Sequence, residues 1–128
     1  IHTVLNDATH HLVDEEALSK MKPTAVLVNA ARGPIVDSQA LYRALRDGGI
    51  AAAGLDVTDP EPIPRDDPLL TLDNCLIVPH IASASVRTRS EMSRIAAENL
   101  INGVKGDRLR TCVNPEVYDR EGRGFPSA

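Results

Sequence analysis

Apolar residues along the chain follow two spacings: short continuous runs, and segments in which they recur every three or four positions. Continuous runs are typical of parallel strands covered on both faces, and the second spacing is typical of amphipathic helices. The predicted strands are residues 25–29, 50–57 and 76–78, with the end of a further strand at 1–5, and the predicted helices are residues 15–21, 38–46 and about 85–104. This alternation predicts an α/β fold of parallel βαβ units with helices on both faces of the sheet.

Residues that favour the ends of helices flank the predicted helices. Asp14 and Asp37 are expected to cap the first two helices, which Pro23 and the Gly48–Gly49 pair then stop. Gly106 is expected to end the third. The apolar stripe predicted for that long helix consists of Met92, Ile95, Ala96, Leu100 and Val104.

A charged or titratable residue follows each of the three complete strands. Arg32 comes shortly after the first, Asp56 ends the second and His80 follows the third. Ligands of open parallel sheets bind outside the carboxyl ends of the strands. The sequence therefore predicts a binding site at this edge of the sheet.

Composition excludes several classes of partner. The net charge is −4, no dense Lys/Arg run occurs, and the single Phe offers no platform for stacking bases, so nucleic acid is not expected. No apolar run approaches the roughly 20 residues that cross a membrane. Two cysteines without metal or redox spacing predict reduced thiols, no metal site and a cytoplasmic location.

Three side chains could together reduce a 2-oxo acid. Arg32 could hold the carboxylate of the substrate through two parallel hydrogen bonds and polarise the ketone. His80 could give a proton to the developing alkoxide, and Glu61 could keep the imidazole protonated if its proline-rich loop folds back over the cleft. Taken singly, each is better explained as a surface or capping arginine, a solvated glutamate or a structural histidine. Their order on successive strand ends favours the catalytic interpretation.

Four stretches of the sequence resemble the D-isomer-specific 2-hydroxyacid dehydrogenases, and closest among these the glyoxylate/hydroxypyruvate reductase type. The resemblance extends from Ile1 to about Val117. The stretches are Val4–Thr9 with His11-Leu12-Val13, Met21-Lys22-Pro23 leading into Val28–Gly33, Gly54–Val57 with Pro60-Glu61-Pro62, and Pro79–Ala84.

The resemblance implies a role for each matching residue. Arg32 would bind the substrate, Glu61 would pair with the histidine and His80 would donate the proton. Asp56 would hydrogen-bond the carboxamide of a bound NAD or NADP. The other residues implied to lie along this cofactor, besides Arg32 and His80, are Leu5, Thr9, Ala30, Ala82 and Ser83.

The resemblance also implies a domain organisation. Residues 1–84 would be the C-terminal part of a Rossmann-like NAD(P)-binding domain that lacks its first βαβ unit, and residues 85–105 would form a crossover helix. Residues 106–128 would return to the substrate domain and end in a polar tail. Members of the family are homodimers. No Gly-x-Gly-x-x-Gly loop is present and the chain begins with Ile1 within an apolar run, so we expect a fragment that is inactive alone.

Two alternatives remain open at this stage. The same fold and triad occur in NAD-sensing corepressors, which would make the protein a regulatory binding module. The chain could also be a truncated remnant that does not fold. The preference between NADH and NADPH, and the identity of the 2-oxo acid, are not determined by these residues.

Overall fold

The computed structural model describes residues 1–119, which divide into two compact units, residues 1–82 and residues from 83 onward. The predicted polar tail falls largely outside these residues. The helices are α1 (Glu15–Ser19), α2 (Ser38–Arg46) and α3 (Val86–Lys105), and the strands are β1 (Val26–Asn29), β2 (Ala52–Leu55) and β3 (Cys75–Ile77). Short 3₁₀ turns cover Gly33–Ile35, Pro68–Thr71 and Pro115–Asp119.

The first unit contains a three-stranded parallel sheet in the order β1-β2-β3. Val28 pairs with Gly54, and Gly54 pairs with Leu76, so the three strands end at nearly the same level. The α/β class and the parallel sheet predicted from the sequence are therefore confirmed.

The hydrophobic core lies on one face of this sheet. Alternate strand residues such as Leu27 and Leu55 are buried there, together with Leu41 and Leu45 of α2. Burying these side chains contributes roughly 1.5–3 kcal/mol each, so this face carries most of the stability of the unit.

The opposite face of the sheet is open within residues 1–82. Val26, Val28 and Leu76 are 61%, 56% and 67% exposed. In this unit, the predicted helices on both faces of the sheet are therefore found on one face only. A continuous apolar run indicates that both faces are apolar, but it does not say what covers them.

Some predicted boundaries differ from the structure, and strand β2, which covers Ala52–Leu55, is shorter by two residues at each end than the predicted 50–57. Residues 1–5 do not form a strand, because only Ile1 bonds to the sheet, through its terminal ammonium to Val28 O (2.7 Å), and a single bond makes no ladder. Helix α1 ends at Ser19, two residues before the predicted Met21.

The predicted caps of α1 and α2 and the predicted end of α3 are confirmed. Asp14 Oδ1 accepts from Ala17 N (2.8 Å), and Asp37 Oδ1 accepts from two amides in the first turn of α2. Gly106 closes α3 with a left-handed φ of 77°, a conformation that glycine adopts without steric cost.

The second unit is held by polar contacts. Arg94 bonds Glu91 and Glu98, and Glu98 also pairs with Arg110 at 3.0 Å. Asn99 and Thr111 exchange hydrogen bonds between the helix and the segment that follows it. No described residue of α3 is buried. Three members of its predicted apolar stripe are largely exposed, Met92, Leu100 and Val104.

Candidate active site

The carboxyl ends of the three strands carry two chain segments that present predicted site residues. We call residues 29–33, which begin with the last residue of β1, the arginine loop, and residues 79–82, after β3, the histidine turn. Because the strands are parallel and end at nearly the same level, both segments lie at one edge of the sheet. Each is held by a buried polar side chain.

The arginine loop is held by Asn29, which is 1% exposed. Its Oδ1 accepts from Ala31 N (3.1 Å) and its Nδ2 donates to Arg32 O (2.9 Å). Sequence reasoning missed this residue. The available signal was an amide side chain at the end of an apolar run, where burial requires hydrogen-bond partners.

Gly33 locks the same loop against the segment after β2. A Cβ built on Gly33 would lie 2.0 Å from the backbone oxygen of Thr58, so no side chain fits there. Arg32 is extended, with φ −145° and ψ 143°, and its Nη1 donates to Ala31 O (2.6 Å). The side chain of Arg32 therefore extends from a backbone segment that has little conformational freedom.

The histidine turn is held by Asp56, which is 7% exposed at the end of β2. Asp56 Oδ1 accepts from Ile81 N (2.6 Å) and Ala82 N (3.0 Å), and Oδ2 also accepts from Ala82 N (3.0 Å). The backbone oxygen of Asp56 accepts from His80 N (3.0 Å). His80 itself has a left-handed φ of 52°, which is uncommon for a residue with a side chain.

Glu61 and His80 form a hydrogen-bonded pair. His80 Nδ1 lies 2.7 Å from Glu61 Oε1, and the two side chains are 48% and 41% exposed, respectively. The hydrogen bond to His80 is the main cause that lowers the pKa of Glu61 below its ordinary value, and a backbone bond from Thr58 and the charge of Arg32 act in the same direction. An ionised carboxylate only accepts, so Nδ1 carries the hydrogen and Nε2 is left for another partner.

Three adjoining recesses follow the edge of the sheet. Arg32 lines the first, of about 470 Å³, with residues 2–5 and Ala30. Ala30 also lines the second, an apolar recess of about 320 Å³ that it shares with Asp56 and Ala82. Asp56 in turn lines the third, of about 530 Å³, with Glu61 and His80. The shared residues make the recesses neighbours, although Arg32 and the Glu61–His80 pair do not line the same one.

The remaining predicted residues occupy different places. Leu5 lines the recess of Arg32 and is 37% exposed. Thr9 closes a local turn, since its Oγ1 donates to Val4 O (2.6 Å) and accepts from Asn6 N (2.8 Å). Ser83 belongs to the second unit.

The described residues carry neither a metal-binding cluster nor a membrane-spanning helix. Up to residue 119, no group of three or more His, Cys, Asp or Glu side chains could hold a metal ion. No helix in the same range has the length and apolarity needed to cross a membrane.

Comparison with known proteins gives a consistent result. Residues 1–82 match the family model described as "D-isomer specific 2-hydroxyacid dehydrogenase, NAD binding domain". The glyoxylate reductase of Korarchaeum cryptofilum is 51% identical over 125 residues, which cover 98% of this chain and 38% of that protein. Glyoxylate/hydroxypyruvate reductase B of Yersinia pestis is 53% identical over 113 residues, 88% of this chain and 35% of that protein.

A solved structure is also similar. The NADPH-dependent glyoxylate/hydroxypyruvate reductase from Sinorhizobium meliloti, in complex with NADP and malonate, superposes with a TM-score of 0.78 at 38% identity. The match covers 88% of this chain and 35% of that one. The chain thus spans little more than a third of the length of these relatives.

Proposed function

The chain belongs to the D-isomer-specific 2-hydroxyacid dehydrogenase family, and from this premise we propose that it is part of an enzyme that reduces glyoxylate or hydroxypyruvate with NADH or NADPH. The observation that carries the proposal is the Glu61–His80 pair, 2.7 Å apart at the carboxyl edge of a parallel sheet. The three relatives named above are reductases, so the regulatory alternative is not favoured.

His80 is the proton donor in this proposal. Glu61 accepts from Nδ1, which fixes the ring and directs Nε2 away from the carboxylate. With the imidazole protonated, Nε2–H passes its proton to the ketone oxygen as that oxygen becomes an alkoxide. In the reverse direction, the neutral Nε2 takes the hydroxyl proton of the 2-hydroxy acid. Glu61 stabilises the imidazolium in both directions.

Arg32 is the substrate-binding residue. Among the described residues, no carboxylate pairs with its guanidinium, whose donors match the two oxygens of a 2-oxo acid carboxylate. A lysine would supply the charge without that geometry. In this proposal the reacting carbon of the substrate would lie between Arg32 and His80.

The residues of the apolar recess fit a nicotinamide ring. Ala30 and Ala82 present small apolar side chains, and Asp56 Oδ2 accepts one amide and keeps room to accept a carboxamide N–H. Leu5, Thr9 and Ser83 complete the set of residues that would hold the nucleotide. The nucleotide, when bound, supplies the hydride.

The proposal includes the organisation of the complete protein. Residues 1–84 complete a nucleotide-binding domain, residues 85–105 cross over from it, and residues 106–128 return to a substrate domain. The complete protein is a cytoplasmic homodimer. The share of the relatives that the chain matches, 38% and 35%, supports the inference that the chain is part of a longer protein.

A substrate screen of the complete enzyme tests the proposal. Glyoxylate, hydroxypyruvate and pyruvate are each offered with NADH and with NADPH.

We expect His80→Gln to lower kcat by roughly 10²–10⁴-fold without changing the Kd of the nucleotide, as loss of general acid catalysis does. Arg32→Ala should raise KM and lower kcat together. Arg43→Ala, which removes a surface arginine paired with Glu15, is the control and should change neither. Normal kinetics in both site variants would contradict the assigned roles.

A further inference from the structure

Asn29 is the most buried polar side chain of the described residues. Burying an amide is unfavourable by a few kcal/mol unless its donor and its acceptor are both satisfied. Both are satisfied here, and both partners lie in the arginine loop: Ala31 N donates to Oδ1, and Arg32 O accepts from Nδ2. The side chain therefore ties the end of β1 to the backbone that carries the guanidinium.

We propose that Asn29 is a positioning residue that fixes Arg32 for substrate binding. The inference rests on the proposed function, because the position of the guanidinium affects activity only where Arg32 binds the substrate. The two bonds hold the residue before Arg32 and the carbonyl of Arg32 itself, so they determine the direction in which its side chain leaves the backbone. A shift of that backbone by about 1 Å would move the guanidinium off the substrate carboxylate.

The chemistry requires an amide at this position. Aspartate offers a second acceptor where Arg32 O needs a donor, and it would be charged in a buried site. Leucine offers neither donor nor acceptor. Serine keeps one polar atom at a shorter reach.

The backbone of Asn29 has a separate role. Its carbonyl accepts from Asp56 N (2.9 Å), which joins the ends of β1 and β2. A side-chain substitution leaves this bond in place. The sheet should then persist while the arginine loop loosens, which separates positioning from a general loss of structure.

The test is a double-mutant cycle in the complete enzyme. We expect Asn29→Ala to lower kcat/KM for the 2-oxo acid by roughly 10–100-fold, the loss produced when a positioning group shifts by about 1 Å. The Kd of the nucleotide should change less than twofold. In an Arg32→Ala background the same substitution should have no further effect, because its effect passes through Arg32.

Asn74→Ala is the matched control. Asn74 also donates from its side chain to backbone carbonyls, those of Leu45 and Ala51 (3.2 Å each), but it lies at the amino end of β3. This variant should lower the melting temperature without changing kcat/KM.

The outcomes are distinguishable. Additive effects of Asn29→Ala and Arg32→Ala would overturn the inference alone. If Arg32→Ala by itself left kcat/KM unchanged, the proposed function of Arg32 would be wrong, and the inference with it. Should Asn29→Ala not fold, Asn29→Ser is used in the same cycle, and failure of both to fold would assign the amide to the fold and overturn the inference.

Discussion

The arginine loop and the histidine turn lie at the same edge of the sheet but are held in different ways. In the arginine loop, a neutral amide bonds the backbone from within the loop, and Gly33 lies against the backbone of Thr58. In the histidine turn, the carboxylate of Asp56 reaches across from a neighbouring strand to two amides. The arginine loop is thus fixed by close backbone contact together with an amide of its own, and the histidine turn by hydrogen bonds to one residue of another strand, Asp56.

This difference predicts two kinds of sensitivity. An added atom should disrupt the arginine loop, since backbone packed against backbone cannot move aside cheaply. Removal of an acceptor should disrupt the histidine turn, since the amides of Ile81 and Ala82 would lose the carboxylate that accepts from them.

The largest effect on stability is expected for Gly33→Ala. The new Cβ would lie 2.0 Å from Thr58 O, so two backbone segments must separate. We expect the free energy of unfolding to fall by about 3 kcal/mol, at the upper end of overpacking effects. Urea unfolding followed by circular dichroism measures it. Gly54→Ala is the control: its Cβ would have Val28 Cγ2 at 3.9 Å as its nearest neighbour and should not destabilise. Equal midpoints for the two variants would refute close packing at Gly33.

A smaller effect is expected for Asp56→Ala. Loss of the carboxylate leaves the Ile81 and Ala82 amides without an acceptor, which should reduce the free energy of unfolding by roughly 1–3 kcal/mol. Hydrogen exchange of those two amides should accelerate, while that of Ala31 stays at its wild-type rate. Asp56→Asn, which keeps an acceptor oxygen, should preserve most of the protection. Unchanged exchange in Asp56→Ala would mean that the carboxylate does not hold the turn.

The smallest effect is a pH-dependent one, in Glu61→Gln. Because the hydrogen bond to His80 lowers the pKa of Glu61 below 4.5 in the folded protein, the ionised carboxylate stabilises the fold. That contribution is complete above pH 4.5 and is lost as the pH falls through the lowered pKa. The melting-temperature difference between the wild type and Glu61→Gln should therefore shrink between pH 6 and pH 3. A constant difference over this range would argue against the pair.

Local signals explain how much of the fold could be predicted. Helix α2 has the predicted bounds because Asp37 supplies a cap and Gly48 follows its end, both of which depend on neighbouring residues alone. The strand positions also follow from apolar runs. Residues 1–5 have such a run but no strand, because a strand depends on a partner that a local pattern does not specify.

The candidate site was predictable to a different degree. Its location at the carboxyl edge follows from the order of the strands, and the pairing of Glu61 with His80 follows from their chemistry. The part played by Asn29 was not foreseen, because an asparagine at the end of an apolar run equally suits a strand that reaches solvent. Only the structure shows that its amide is buried and directed at the arginine loop.

The left-handed backbone of His80 has a consequence for the evolution of this protein. In that conformation, a residue other than glycine reduces the stability of the fold by about 1–2 kcal/mol, and glycine does not. Selection for thermal robustness alone would thus favour glycine at position 80, where it would remove the imidazole. Under the proposed function, the histidine at position 80 exchanges some stability for activity, so attempts to engineer a more stable variant should leave this position unchanged.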